Sequence, residues 1–308
     1  MQQRMMTPEE IAVQAAGDIP FLRLPDRHSV FSDRAARLRQ LASGSTLGGY
    51  LELMARVADL QQALLADQPP FPLPSSEHMA QCREHAMPPL NAQTLRRDPL
   101  WHDLLRRMLR TLAADAEGGL RTALVGLEGR RGEFYEAQAS RLLANVPVGI
   151  DPATAPFIGA ALQVYWTHLV TMLGQECFGR IDIPNICPCC GSPPVASVVR
   201  IGGDGGYRFL HCSLCAAEWH MVRVKCSSCG TTKGIHYFEV EGGSPAIKAE
   251  CCDECDTYLK IFYQNKDAHV EPVADHLASI ALDLLVSDTG KSASGVNLLF
   301  VHGDENAA

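Results

Sequence analysis

The sequence predicts an α plus small-β protein: an N-terminal all-α domain, two tandem four-cysteine metal modules and a C-terminal helix. Three observations carry this expectation. The first half of the chain repeats apolar residues at helical spacing. Ten of the twelve cysteines fall between residues 187 and 255. Eight of these ten form four CxxC pairs within a unit that occurs twice. The expected boundaries are 1–183 for the helical domain, 184–225 and 226–268 for the two modules, and 269–308 for the helix and tail.

Residues 1–30 read as irregular, with Pro20 and Pro25 as breakers. Asp33 to Ala42 carries Ala35, Leu38 and Leu41 at helical spacing, and Ser45 opens a longer helix through Leu51, Met54, Val57, Ala58, Leu64 and Leu65. A proline-rich linker follows at 69–74, with a further break at Pro88 and Pro89. Asp98 before Pro99 is a helix-start signal, and the stripe Leu100, Trp101, Leu104, Leu105, Met108, Leu109, Leu112 continues from it. Helical patterns resume over 120–127 and 133–143. The run from Ala155 to Leu173 is apolar nearly all round, which suits a helix through the middle of a domain. After the modules, Val273, Leu277, Ile280, Ala281, Leu284 and Leu285 mark one amphipathic helix, and 288–308 reads as a partly ordered tail.

The cysteine pairs are Cys187/Cys190, Cys212/Cys215, Cys226/Cys229 and Cys252/Cys255. A CxxC turn places two sulfurs on one side of a tight loop, and a second such turn about twenty residues on completes a tetrahedral four-sulfur site. Gly191 and Gly230 follow the second cysteine of a pair, where the chain must bend into positive φ. Between the pairs, β-rich runs alternate with Gly202–Gly203 in one copy and Gly242–Gly243 in the other. The repeat favours a sequential scheme, 187/190 with 212/215 and 226/229 with 252/255, over a crossed scheme joining 212/215 to 226/229. A four-thiolate site accepts zinc or iron. Spacing alone suits structural zinc.

Other residues near these pairs have plainer readings. Cys189 and Cys251 border the turns and carry no assigned role. His211 and His220 flank ligand turns but are not needed once four sulfurs are present. His168 reads as a core histidine, and Cys82 and Cys177 as semi-buried thiols. Arg223 and Lys225 lie between the modules and either offset thiolate charge or face solvent. Gly202 to Gly206 lacks the Lys-Ser/Thr of a phosphate loop and precedes a strand, so it reads as a hairpin turn.

The formal net charge of -8 argues against a nucleic-acid binder, which needs a basic surface. Met1 to Ile11 carries Glu9 and Glu10 and no apolar core of an export signal. The most apolar run, Ile158 to Leu173, is interrupted by Gln163, Thr167, His168 and Thr171. Clustered cysteines in this setting suit a reducing compartment, most simply the cytoplasm. No HExxH, GxSxG or Ser-His-Asp spacing stands out, and a site closed by four thiolates keeps no open position for hydrolysis. No catalytic residues are therefore assigned.

The run HCSLCAAEWHMVRVKCSSC from His211, with CPCCGSPPV from Cys187, resembles the FdhE family of formate dehydrogenase accessory proteins. FSDRAARLRQLA from Phe31, APFIGAALQVYW from Ala155 and IKAECCDECDTYLKIFYQ from Ile247 are similar too. The resemblance implies a cytoplasmic, non-enzymatic maturation factor for respiratory formate dehydrogenase that binds the catalytic subunit before export. It implies rubredoxin-like modules, with the metal role on Cys187, Cys190, Cys212, Cys215, Cys226, Cys229, Cys252 and Cys255, and it shifts the expected metal from zinc towards iron. Two alternatives stay open: a rubredoxin-like electron-transfer protein and a nucleic-acid-binding zinc ribbon. The partner expectation is the catalytic subunit, with no nucleic acid and no membrane insertion.

Overall fold

The computed structural model describes residues 19–67, 70–202 and 206–301. Within them lie nine α-helices and eight strands. The helical half comprises α1 (Val30–Ala42), α2 (Gly48–Asp67), α3 (Ser76–Glu84), α4 (Trp101–Ala114), α5 (Gly118–Glu128), α6 (Gly132–Leu143) and α7 (Ala155–Leu173). β1 (Leu22–Arg23) precedes it, and its short strand lies within a stretch the sequence marks as irregular.

Helix α4 shows how sequence becomes packing. Trp101, Leu104, Leu105, Met108, Leu109 and Leu112 recur at threes and fours and are all buried. Each contributes roughly 1.5–3 kcal/mol by leaving water. The Asp98–Pro99 signal works one turn early. Asp98 Oδ1 accepts from the Leu100 amide at 2.9 Å, its carbonyl accepts from Trp101 N at 3.1 Å, and the regular helix begins at Trp101.

Helix α7 is buried from Ala155 to Val170. Its Gly159 has a specific use: a Cβ there would lie 2.6 Å from the Leu298 carbonyl oxygen. The C-terminal segment therefore lies directly on the helix backbone. Leu298 and Leu299 are buried, and Tyr50 donates its hydroxyl to Leu299 O at 2.6 Å. The expected tail is thus anchored as far as residue 301, because two leucines fill a groove that only glycine leaves open. Helix α3 has no counterpart in the sequence reading. Its Ser75 cap accepts from His78 N at 3.2 Å, but its apolar face is too slight to show as a pattern.

The remaining strands are β2 (Pro194–Arg200), β3 (Tyr207–Cys212), β4 (Glu218–His220), β5 (Ile235–Phe238), β6 (Ile247–Cys252), β7 (Thr257–Tyr263) and β8 (Ser292–Ala293). They form one sheet in the order β1-β4-β3-β2-β7-β6-β5, with β8 added to β7. Each copy of the repeat is an antiparallel meander, β2-β3-β4 and β5-β6-β7. The copies join head to tail through parallel pairing of β2 with β7, Ser197 opposite Ile261 and Val199 opposite Tyr263. Two ribbons too small to fold alone thus share strands and core. Gly203, Asp204 and Gly205 of the expected β2–β3 turn lie outside the described residues, as do residues 1–18.

The C-terminal helix is broken into α8 (Pro272–Ala278) and α9 (Ile280–Ser287) at Ser279. The buried Lys260 ammonium draws on this break. It donates to His276 O at 2.8 Å and Ser279 O at 3.2 Å, and pairs with Asp283 at 2.5 Å. No helix among the described residues is long and apolar enough to cross a membrane.

Candidate metal centres

All four CxxC turns adopt one conformation. The first cysteine's amide donates to the carbonyl five residues on: Cys187 to Ser192 at 2.9 Å, Cys212 to Ala217 at 2.8 Å, and Cys226 to Thr231 at 2.9 Å. Cys252 pairs with Thr257 at the same offset. Amides inside the turn aim at the first sulfur. Leu214 N and Cys215 N lie 3.4 Å from Cys212 Sγ, and Ser228 N and Cys229 N lie 3.3 and 3.5 Å from Cys226 Sγ. Such donors spread thiolate charge. The residue after the second cysteine is left-handed in every turn: Gly191 at φ 71°, Ala216 at 58°, Gly230 at 76° and Asp256 at 50°. Only two are glycines, so the sequence shows half of this pattern. Aligning the four turns would have exposed Ala216 and Asp256.

The turns assemble two quartets, Cys187/Cys190/Cys212/Cys215 (site 1) and Cys226/Cys229/Cys252/Cys255 (site 2), with all sulfurs of a quartet within 4.8 Å of one another. This is the sequential pairing. Cys187 and Cys215 sulfurs are 3.6 Å apart, Cys190 and Cys212 3.4 Å, Cys226 and Cys255 3.7 Å, and Cys229 and Cys252 3.7 Å. A tetrahedron with metal–sulfur bonds of about 2.3 Å has sulfurs about 3.8 Å apart. No cysteine is in a disulfide. The donor set therefore fits a four-coordinate thiophilic ion.

The two sites differ in setting. Site 1 is sealed: its four cysteines are buried. Segment 90–92 holds its first turn, with Leu90 N donating to Cys189 O at 3.0 Å and Ala92 N to Cys190 O at 2.8 Å. Trp166 of α7 donates to Leu90 O at 2.9 Å, and Gln163 of α7 donates to Ser213 O in the second turn at 2.8 Å. The helical half thus grips both turns. Behind the site, His211 Nδ1 lies 3.1 Å from Glu218 Oε1, and Arg200 pairs with the same carboxylate. Burial opposes the Glu218 charge, but the hydrogen bond from the His211 ring and the Arg200 guanidinium hold its pKa well below the usual carboxylate range.

Site 2 faces outward. Cys229 is exposed and Cys255 half-buried. The Thr257 hydroxyl lies 3.2 Å from Cys255 Sγ and 3.2 Å from Ser228 Oγ, tying the two turns together. Burial works against a Cys255 thiolate, but the hydroxyl and the neighbouring thiols bring its pKa down to about 7. Burial and the same thiol neighbours push Cys252 up to about 12, as expected when four thiols share few protons.

The flanking residues settle into structural places. Neither His211 nor His220 belongs to a quartet, and the His220 ring stacks edge-on against Phe209. Cys189 is buried beside site 1, where burial raises its pKa well above the ordinary value, and burial pushes Cys251 up to about 11. Between the sites, the Lys225 carbonyl accepts from Arg208 Nη1 at 2.9 Å, and its side chain runs beside Gly230 of the site 2 turn. Arg208 itself was missed by sequence reasoning. It is buried, pairs with Glu250 of the second ribbon at 2.6 Å, and donates to Ser197 Oγ at 2.6 Å.

Comparison with known proteins matches this architecture. Family models described as "FdhE, N-terminal", "FdhE, central domain" and "FdhE, C-terminal domain" match residues 19–178, 186–223 and 224–300. The chain belongs to the FdhE family. An FdhE homolog of Pectobacterium atrosepticum is 42% identical over 282 residues, 91% of this chain and 90% of the relative. An FdhE homolog of Cronobacter sakazakii is 39% identical over 287 residues, 93% of each chain. The crystal structure of the FdhE protein from Pseudomonas aeruginosa superposes with a TM-score of 0.86 at 39% identity, covering 92% of this chain and all of that one. The two quartets therefore sit in an FdhE fold matched along nearly its whole length.

Proposed function

We propose that this FdhE family member is a non-enzymatic maturation factor for respiratory formate dehydrogenase. It acts in the cytoplasm and docks on the catalytic subunit before that subunit is exported. The observation that carries the reading is the near full-length match to FdhE proteins, across both the helical half and the two four-cysteine sites. The geometry is consistent with a scaffold: closed four-sulfur sites offer no open coordination position, and site 1 is wedged between helical half and sheet. Cys187, Cys190, Cys212 and Cys215 would hold one ion and Cys226, Cys229, Cys252 and Cys255 the other, iron or zinc. When bound, iron would supply a one-electron couple and zinc only shape. The test is co-purification of the chain with the catalytic subunit, together with formate dehydrogenase activity in a deletion strain. Full activity in that strain would overturn the reading.

A second reading, electron transfer in the manner of rubredoxin, is favoured by the exposure of Cys229 and by the outward placement of site 2. A reducible ferric-thiolate absorbance in purified protein supports it. Colourless protein containing only zinc refutes it.

A further inference from the structure

The sheet is covered at one end and open at the other. At the β1 end, β1 pairs with β4, and His220 N donates to Phe21 O at 2.8 Å. At the other end, β5 has β6 as its only neighbour among the described residues. Asp253 N donates to Gly234 O at 3.0 Å, and the same register places His236 opposite Cys251 and Phe238 opposite Ala249. In an antiparallel pair, bonded positions alternate with unbonded ones. The amides of His236 and Phe238 therefore turn towards β6, and the N–H and C=O groups of Ile235 and Tyr237 turn away from it.

The side chains around this edge are those of a contact surface. Residues 237–245 are all exposed, and they include Tyr237, Phe238 and Val240. Large apolar groups along an open edge strand are what folded proteins ordinarily avoid. The surroundings are acidic. Residues 239–256 contain Glu239, Glu241, Glu250, Asp253, Glu254 and Asp256 against the single Lys248. Arg208 neutralises Glu250 in the interior, Lys248 pairs with Glu239, and Lys291 reaches both Asp253 and Asp256, which leaves Glu241 and Glu254 to meet a basic partner.

We propose that the β5 edge docks an extended segment of the partner chain as an additional strand, and that this segment carries basic side chains among apolar ones. The proposal rests on the docking reading above for the existence of a partner. Another backbone in extended form matches outward N–H and C=O groups at strand spacing and replaces the water on them. Alternate side chains of the added strand would lie beside Tyr237 on one face and Phe238 on the other, since neighbouring residues point to opposite faces. Basic residues meet the flanking carboxylates. Site 2 sets the edge in place, because Ile235 lies directly opposite the ligand Cys252. Metal at site 2 and competence of the edge are thereby linked.

Amide hydrogen exchange on the metal-loaded full chain, alone and with the isolated formate dehydrogenase catalytic subunit, tests this directly. Ile235 and Tyr237 exchange freely in the free protein and slow at least about tenfold in the complex, whereas His236 and Phe238 are protected in both. Tyr237→Pro removes an outward N–H at a position where an edge strand tolerates proline, so metal content is kept while affinity falls about tenfold or more. The double variant Glu241→Lys/Glu254→Lys leaves the backbone untouched and also weakens binding, so it decides the matter should the proline variant lose its metal. A complex in which Ile235 and Tyr237 still exchange freely, with wild-type affinity for these variants, overturns the edge proposal and leaves the docking reading standing. Failure of the wild-type chain to bind the subunit at all removes the docking reading, and the proposal with it.

Discussion

Replacing Arg208 with methionine should uncouple the two ribbons at a measurable cost. The Arg208 side chain is 1% exposed and that of Glu250 3%. The guanidinium reaches Glu250 Oε1 at 2.6 Å, Ser197 Oγ at 2.6 Å, Lys225 O at 2.9 Å and Val222 O at 3.4 Å. Methionine fills much of the same volume but leaves Glu250 a buried carboxylate whose remaining close partner is the Tyr237 hydroxyl at 2.9 Å. Breaking a buried pair from one side costs about 3–5 kcal/mol. Replacing both members with apolar residues removes the stranded charge. Arg208→Met/Glu250→Leu should therefore cost less than the two single substitutions added together, with a coupling of about 1–3 kcal/mol. The assay is urea unfolding of the metal-loaded, reduced protein, followed by circular dichroism. The expected result is a lower midpoint with an unchanged slope. A loss below about 1 kcal/mol for Arg208→Met, or strict additivity in the double variant, would refute the claim that this pair joins the copies.

The sites should also release metal unequally. A chromophoric chelator should take one ion per chain quickly from site 2 and the second only as the protein unfolds, because Cys229 is exposed and all of site 1 is buried. Equal rates would contradict the asymmetry. Gly159→Ala places a Cβ 2.6 Å from Leu298 O, so the 296–300 segment must lift, at about 1–3 kcal/mol. Thermal unfolding and proteolysis near residue 298 check this, and an unchanged melting temperature argues the other way. His168 is buried beside the Phe71 ring with Arg27 Nη1 3.1 Å from its Nδ1, and burial followed by the nearby Arg27 charge lowers its pKa to about 4 from an ordinary 6.5. Below pH 6.5 the unfolded chain takes up a proton that the folded chain refuses, so stability falls as pH drops from about 6.5 to about 4. His168→Gln should flatten that slope, and an identical slope in both proteins would count against a neutral buried imidazole.

The features legible in the sequence are those with a short period or a fixed spacing. The stripe of α4, the all-round apolar run of α7 and the eight paired cysteines each announce themselves within twenty or so residues. The break at Ser279 was not legible, because the group that satisfies its carbonyl is Lys260, nineteen residues upstream on β7. The joining of β2 to β7 was equally hidden. It depends on two strands more than sixty residues apart, each of which reads as an ordinary strand by itself. The unequal exposure of the two sites also escapes the spacing, which is nearly the same in both. It is imposed by Leu90, Ala92, Gln163 and Trp166 of the helical half, which cover site 1 alone.

Metal analysis of anaerobically purified protein, paired with thiol alkylation before and after unfolding, tests the two-quartet arrangement most directly. Two ions per chain are expected, with one lost in Cys229→Ala and the other retained. The eight ligand thiols should be shielded until the metals leave. A folded chain carrying no metal, or with these sulfurs joined as disulfides, would contradict the account.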